Sequence, residues 1–162
     1  MKKNRKNSWL IVSLGLLALF AYSDLHQFLA RSRAESALKA FESLDKQSVE
    51  LGNCQFELRV ARSLAEQAQG LGDLAFLSAD QGMSFPLAEA KIPIFWMKKM
   101  RFSLDILWLS QNKVIAIEPN VPVDGGRRRY SPPQPIDLVI EIAANRAKEC
   151  QIKPDSPLLY PS

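Results

Sequence analysis

The residues most able to do chemistry are Lys98 and Asp105, in the middle of the chain. Asp105 interrupts the apolar run Leu104–Leu109. A buried carboxyl costs several kcal/mol unless a cation or donor partners it, and Lys98 is the nearest such partner in sequence. The pair has two interpretations. It orients a ligand at the edge of a pocket, or it is a structural ion pair that fixes a turn and a strand register.

Two aromatic residues, Phe95 and Trp96, would wall such a pocket. Side chains alternate along a strand, so neighbouring residues here point to opposite faces and only one of the two faces outward. Core packing is the default role for both. An aromatic platform for a sugar or a peptide is the alternative.

A basic loop lies further along the chain, where Arg127, Arg128 and Arg129 precede Tyr130. Binding residues concentrate on loops, and guanidinium groups suit carboxylates and phosphates. A solvated basic loop is the other interpretation. With Phe95, Trp96, Lys98 and Asp105, these residues form the predicted ligand-binding set.

Several classes of chemistry find no support. The only histidine, His26, lies outside the predicted domain, which argues against a Ser-His-Asp triad or a histidine-ligated metal there. We therefore predict no catalytic residues, metal or cofactor, although a mechanism through Lys and Asp or through Tyr stays open. Cys54 and Cys150 lack the C-x-x-C spacing of zinc and thioredoxin sites. In an exported protein they favour a disulfide, with two free buried thiols as the alternative.

The N-terminus has the pattern of an export signal. Residues 1–7 carry four Lys or Arg and no acid, and the run Trp9–Tyr22 is almost entirely apolar. We interpret residues 1–23 as a signal peptide or a membrane anchor that leaves the domain outside the cytoplasm, either periplasmic or membrane-attached. A buried core helix is a third interpretation.

Residues 24–50 are interpreted as a helical spacer, since apolar residues follow one helix face from Ala34 to Leu44. A partner-binding or dimerising helix is the alternative. The net charge of +4 lies mostly here and in the signal, because residues 1–50 hold eight Lys or Arg against five Asp or Glu. Residues 51–162 hold thirteen against twelve, which disfavours a nucleic-acid partner.

Residues 51–162 are predicted to form a mainly β (α+β) domain, with a compact mixed or antiparallel sheet or a barrel-like form and two short helices. A hairpin made of Ile94–Met97 and Leu104–Leu109 is its predicted centre. Ser63 and Glu66 form a capping box for a helix from Leu64 to about Gln69. The other predicted elements are strands at Cys54–Val60, Met83–Phe85, Val114–Glu118, Ile136–Ile142 and Leu158–Tyr160, and a helix within Ala143–Cys150.

These patterns resemble the domain of unknown function family 192. The resemblance rests on Phe-Trp-Met-Lys at 95–98 followed by Leu-Asp-Ile at 104–106, and on Gly-Met-x-Phe at 82–85. Further matches are Ala65-Glu66, Gln69–Leu71, Tyr130, Pro132, Leu138–Glu141 and Ile152–Asp155. The family implies a compact, mainly β domain, often exported or lipid-anchored, with no established activity. The chain departs from the pattern at Lys99, where Asn is usual, and at Gly72, where Met is usual.

The sequence therefore predicts an exported or membrane-anchored domain that binds a ligand or protein of the cell envelope. One alternative is a hydrolase or lyase that acts on envelope material. The other is a structural accessory of a membrane complex. Enzyme activity is the less favoured interpretation, because no catalytic set is evident.

Overall fold

A computed structural model describes residues 6–161, with side chains from residue 22 onward. Its helices are α1 (Lys6–Ser43), α2 (Leu64–Gln69) and α3 (Arg146–Glu149). Its strands are β1 (Lys46–Leu51), β2 (Cys54–Val60), β3 (Gln81–Lys91), β4 (Leu104–Ser110), β5 (Lys113–Val121), β6 (Ile136–Ala143) and β7 (Leu158–Leu159). The chain divides into two units, residues 1–36 and 37–162.

The first unit consists of the greater part of α1. Among the residues that the structure describes, no helix has both the length and the apolar character that crossing a membrane requires. The predicted signal peptide or anchor, residues 1–23, lies almost wholly outside the residues whose side chains are described.

The second unit is built on one seven-stranded sheet with the order β5-β4-β6-β3-β2-β1-β7. β2 and β3 pair in parallel, and the other neighbours pair antiparallel. The two edges approach each other, because Lys113 bridges to Pro157 and the Leu158 amide donates to the Asn112 carbonyl. The sheet is thus curled into a half-barrel, and the prediction of a mainly β domain is confirmed.

Two apolar clusters form on the two faces of this sheet because side chains alternate along each strand. The inner cluster contains Val49, Val114 and Leu158, which come from opposite edges of the sheet and meet only because it curls. The outer cluster contains Met83, Phe85 and Trp108 and packs under the connecting segments. Burial of these side chains supplies the main stabilisation of the fold.

Several predicted elements are confirmed: β2, β4, β5, β6 and β7 fall where strands were expected. The capping box is present, with the Ser63 hydroxyl accepting from the Glu66 amide and Glu66 accepting from the Ser63 amide. The predicted hairpin is wrong. β4 already has β5 and β6 as its two neighbours, so Ile94–Met97 cannot pair with it. Only Phe95 of that run forms a bridge, and its partner is Tyr130.

Two further boundaries differ from the prediction. Residues 46–50, assigned to the predicted helical spacer, instead belong to β1 (Lys46–Leu51), which pairs along its whole length with β2. Gly52 and Asn53 therefore make the tight turn of a hairpin. β3 was expected to end at Pro86, but it continues to Lys91 because its pairing with β6 shifts register between these two residues. Such an irregularity accommodates a proline, which has no amide to donate.

Arg59 of β2 carries a charge, yet it is only 5% exposed. Its guanidinium donates to the carbonyls of Glu42 and Leu44 at 2.8 and 3.1 Å and lies over the Phe41 ring. These carbonyls lie at the end of α1, where acceptors lack partners within the helix. Arg59 thereby ties the last turn of α1 to the sheet.

The predicted disulfide between Cys54 and Cys150 is present, with the two Cα atoms 5.4 Å apart. It joins the start of β2 to the end of α3. Gly52 lies against it at a positive φ of 60°, and a Cβ there would come within 2.1 Å of the Cys150 carbonyl oxygen. The close approach of the two backbones thus requires glycine at this turn.

Candidate functional site

The structure brings most of the predicted ligand-binding set together. Phe95 and Tyr130 exchange two backbone hydrogen bonds, of 2.9 and 3.0 Å, which pin the stretch 92–97 to the basic loop. The Arg129 guanidinium lies 4.8 Å from the centre of the Trp96 ring, a cation–π contact. Lys98 lies beside the same loop. Gly126 approaches it at a positive φ of 79°, and a Cβ there would come within 2.9 Å of the Lys98 Cβ.

Phe95 and Trp96 point in opposite directions, as predicted. Phe95 packs edge-to-face between Phe85 and Trp108, with ring centres 5.2 and 5.6 Å away, so it belongs to the outer cluster. Trp96 is 47% exposed. The core interpretation thus holds for Phe95, whereas Trp96 lies at the surface against Arg129.

Arg127 and Arg128 are exposed on a loop that Asp124 organises. The Asp124 carboxyl accepts from the amides of Gly126 and Arg128 at 2.8 and 2.7 Å. The Arg127 guanidinium donates to the Asp124 carbonyl. Both arginines thus lie on an ordered, exposed loop, and neither is shown in contact with Phe95 or Trp96.

Asp105 does not join this group, and the predicted Lys98–Asp105 pair is wrong. Asp105 is fully buried and accepts three backbone N–H groups, from Asn120, Asn145 and Ala147, at 2.7 to 3.1 Å. It lies on the inner face of β4, whereas Lys98 is exposed beside the outer cluster. Backbone donors take the place of the expected cation, so Asp105 fastens the end of β5 and the start of α3 to β4.

A pocket of about 290 Å³ opens on the outer side of the sheet. One wall is α2 with the turn that follows it, residues 67–72, and another is the stretch 91–100. Phe85, Leu87 and Met100 contribute apolar surface, and Trp96 and Lys98 also line it. We refer to this cavity as the Glu141 pocket, after the one acidic residue that lines it.

Glu141 lies on β6 between Met83 of β3 and Ile106 of β4. It is 6% exposed, and no donor within residues 22–161 contacts its carboxyl. Burial raises the pKa of Glu141 from its ordinary value of 4.5 to about 8. At neutral pH Glu141 is therefore mostly a neutral carboxylic acid, which can donate its proton in a hydrogen bond.

Sequence reasoning missed Glu141, although a signal was present. Glu141 stands between Ile140 and Ile142 in an apolar strand, the same pattern that drew attention to Asp105. The two differ in their surroundings, because Asp105 has three donors and Glu141 has none. In the described part of the chain, no group of three or more His, Cys, Asp or Glu side chains is placed to hold a metal ion.

The chain belongs to the family DUF192, described as "Uncharacterized ACR", whose model matches residues 47–159. No functionally curated protein matches the sequence.

Two solved structures share the fold. A protein from Sinorhizobium meliloti 1021, which bears the provisional description of a transcription regulator, is 24% identical with a TM-score of 0.68, over 72% of this chain and 94% of its own. A protein of unknown function from Novosphingobium aromaticivorans DSM 12444 is 28% identical with a TM-score of 0.67, over 71% of this chain and 85% of its own. These similarities show the fold of the domain. They do not show its function, which is argued below from the residues of the site.

The Asp105→Ala variant is expected to lose about 3 kcal/mol or more in free energy of unfolding, because three amides lose their acceptor. Lys98→Ala is the matched control and should change it by less than about 0.5 kcal/mol, as for other exposed side chains. Urea denaturation followed by tryptophan fluorescence measures both. Similar losses in the two variants would restore the ion-pair interpretation.

The Glu141→Gln variant keeps the shape of a neutral glutamic acid but cannot ionise. The pKa of Glu141 is about 8 in the folded domain against 4.5 for an ordinary glutamate, so the folded state holds its proton more tightly. Relative to the variant, the wild type should be most stable below about pH 4.5 and should lose stability up to about pH 8. The total loss is on the order of 5 kcal/mol. Urea denaturation of both proteins across this pH range measures the loss. If the difference in free energy of unfolding between wild type and variant does not change with pH, the raised pKa of Glu141 is contradicted.

Proposed function

We propose that this protein is an exported or membrane-anchored domain that binds a small ligand of the cell envelope in the Glu141 pocket. The observation that carries the proposal is a buried carboxyl without a protein partner that faces a cavity. Buried polar groups are nearly always hydrogen-bonded. The Glu141 oxygens are not among the fully enclosed side-chain atoms that lack a partner, so the cavity gives a ligand access to them. A ligand that accepts the Glu141 proton in a hydrogen bond supplies the missing partner.

The shape and lining of the pocket support this proposal. Small-molecule sites are concave and mainly apolar, with a few polar groups that fix orientation. Here Phe85, Leu87 and Met100 provide the apolar surface, and Glu141 is the inward polar group. Trp96, 47% exposed, offers a large flat surface where the pocket meets solvent.

The proposal of export is supported by the basic and then apolar sequence of residues 1–23 and by the disulfide. Stable structural disulfides are typical of oxidising compartments outside the cytoplasm. The Cys54–Cys150 bond closes a long stretch of chain, since 96 positions separate the two residues. It is therefore expected to contribute several kcal/mol, about 4 to 5 in the chain-entropy model.

A hydrolase or lyase is the second candidate, and the neutral Glu141 is the observation that favours it. A carboxyl with a pKa near the working pH is suited to act as a general acid. Such a reaction also needs a base or nucleophile, and the other charged side chains that line the pocket are Lys91 and Lys98. Ligand binding requires no base or nucleophile, and the neutral Glu141 carboxyl already supplies a hydrogen-bond donor.

The test of the proposed function is to block the pocket with one side chain. Ala68 lines it from the exposed face of α2, so Ala68→Trp should fill it without disturbing the core. Leu64 lies on the same helix, is 85% exposed and does not line the pocket, so Leu64→Trp is the matched control. Full-length wild type and both variants are incubated with an envelope extract, washed, and their bound small molecules are identified by mass spectrometry.

The wild type and Leu64→Trp should retain a compound that Ala68→Trp retains at roughly one tenth of the amount or less, since a filled pocket excludes it. Equal recovery from Ala68→Trp and the wild type contradicts the proposal. So does the absence of any retained compound from the wild type.

A further inference from the structure

The groups that surround Glu141 determine which chemical groups and which charge a ligand of this pocket needs. Met83 and Ile106 flank it along the sheet and carry no charge. From α2 the polar side chains that line the same pocket are Gln67 and Gln69. Their amide groups already donate to the carbonyls of Ala61, Pro86 and Gly72, at 2.7 to 3.2 Å. The Gln67 amide therefore has no N–H left for the Glu141 carboxyl, and no hydrogen bond joins Gln69 to it in the described part of the chain.

The charged residues that line the pocket besides Glu141 are Lys91 and Lys98. Both are exposed, and neither forms an ion pair among the described residues. The pocket therefore has a neutral donor in its buried part and two free cations where it opens. A cationic ligand would be repelled by these lysines, whereas an anion would be attracted.

The lining between these polar groups is apolar. Leu71 and Met100 contribute apolar surface from the two walls, and Phe85 and Leu87 contribute it from β3. An apolar body between the two ends of the ligand would displace water from this surface, which is favourable in proportion to the area buried. A fully polar ligand would gain nothing there.

We propose that the Glu141 pocket selects a small organic anion with an apolar body. Its anionic group lies near Lys91 and Lys98, and its inner end carries an uncharged oxygen, such as a carbonyl, that accepts a hydrogen bond from Glu141. This rests on the proposed function and specifies the class of ligand. It also has a regulatory consequence, because an ionised Glu141 would repel the same oxygen.

Three aromatic probes test separately whether the ligand needs an anionic group and whether it needs a hydrogen-bond acceptor. Para-acetylbenzoate has the anion and the acceptor, para-ethylbenzoate has the anion alone, and para-acetylbenzylammonium has the acceptor with a cation. Each is titrated into the full-length protein in detergent, and binding is followed by the backbone amide NMR shifts of residues 67–72 and 85–100. Titrations are run with the wild type and Glu141→Gln, well below and well above about pH 8.

At the lower pH, para-acetylbenzoate should bind the wild type roughly tenfold more tightly than either other probe, as expected for one buried hydrogen bond or one charge contact. Its affinity should fall roughly tenfold at the higher pH. Glu141→Gln should bind it equally at both pH values, because the glutamine amide donates at either.

Tighter binding of the ammonium probe, or wild-type affinity for para-acetylbenzoate that does not change with pH, overturns the assigned ligand class while leaving a functional pocket. If none of the three probes shifts residues 67–72 or 85–100, the pocket takes no ligand of this size and the proposed function fails as well. The two failures are thus distinguishable.

Discussion

The alternation of side chains along β4 and β6 places two carboxyls inside the domain, on opposite faces of one sheet. Asp105 pairs in register with Ile142, and Glu141 pairs with Ile106. A shift of one residue in either strand would move its carboxyl to the opposite face of the sheet. The inner carboxyl meets three backbone donors and becomes a structural fastener. The outer one meets none and lines a cavity. This difference in hydrogen bonding separates a stabilising residue from a functional candidate.

The pocket exists because the segments that cover the outer face are held firmly at some distance from Glu141. The capping box fixes α2 at its start, and the Gln67 amide ties it to β3 through the Pro86 carbonyl. On the other side, the Phe95–Tyr130 bridge fixes the stretch 92–97, with Phe95 packed into the core. Preorganised walls of this kind let a ligand bind with little ordering cost.

Local sequence patterns predicted the fold well for segments that pair within the sheet or that carry a helix cap. The strand predicted at Cys54–Val60 coincides with β2, and Ser63 with Glu66 predicted the start of α2. The run Ile94–Met97 has the composition of a strand but runs over the outer face, because β5 and β6 occupy both edges of β4. Local composition holds no information about which edges are free.

The site was harder to predict, for the same reason. Sequence identified Trp96, Lys98 and Arg129 as neighbours of a binding surface, and the structure brings them to one side of the domain. The partners of Asp105 could not be read from sequence, since they are backbone amides from positions 15 to 42 residues away. Glu141 differs from Asp105 only by what surrounds it, which depends on the three-dimensional packing of β3, α2 and the stretch 91–100.

The most direct test of the central claim is the titration of Glu141 itself. NMR of the side-chain carboxyl carbon, assigned by its loss in Glu141→Gln, gives the pKa of this one group in the full-length protein. The buried, unpartnered carboxyl described above should titrate at about pH 8. A midpoint near 4.5, the ordinary value, would show that Glu141 is solvated or partnered, and the pocket would then lose its neutral donor.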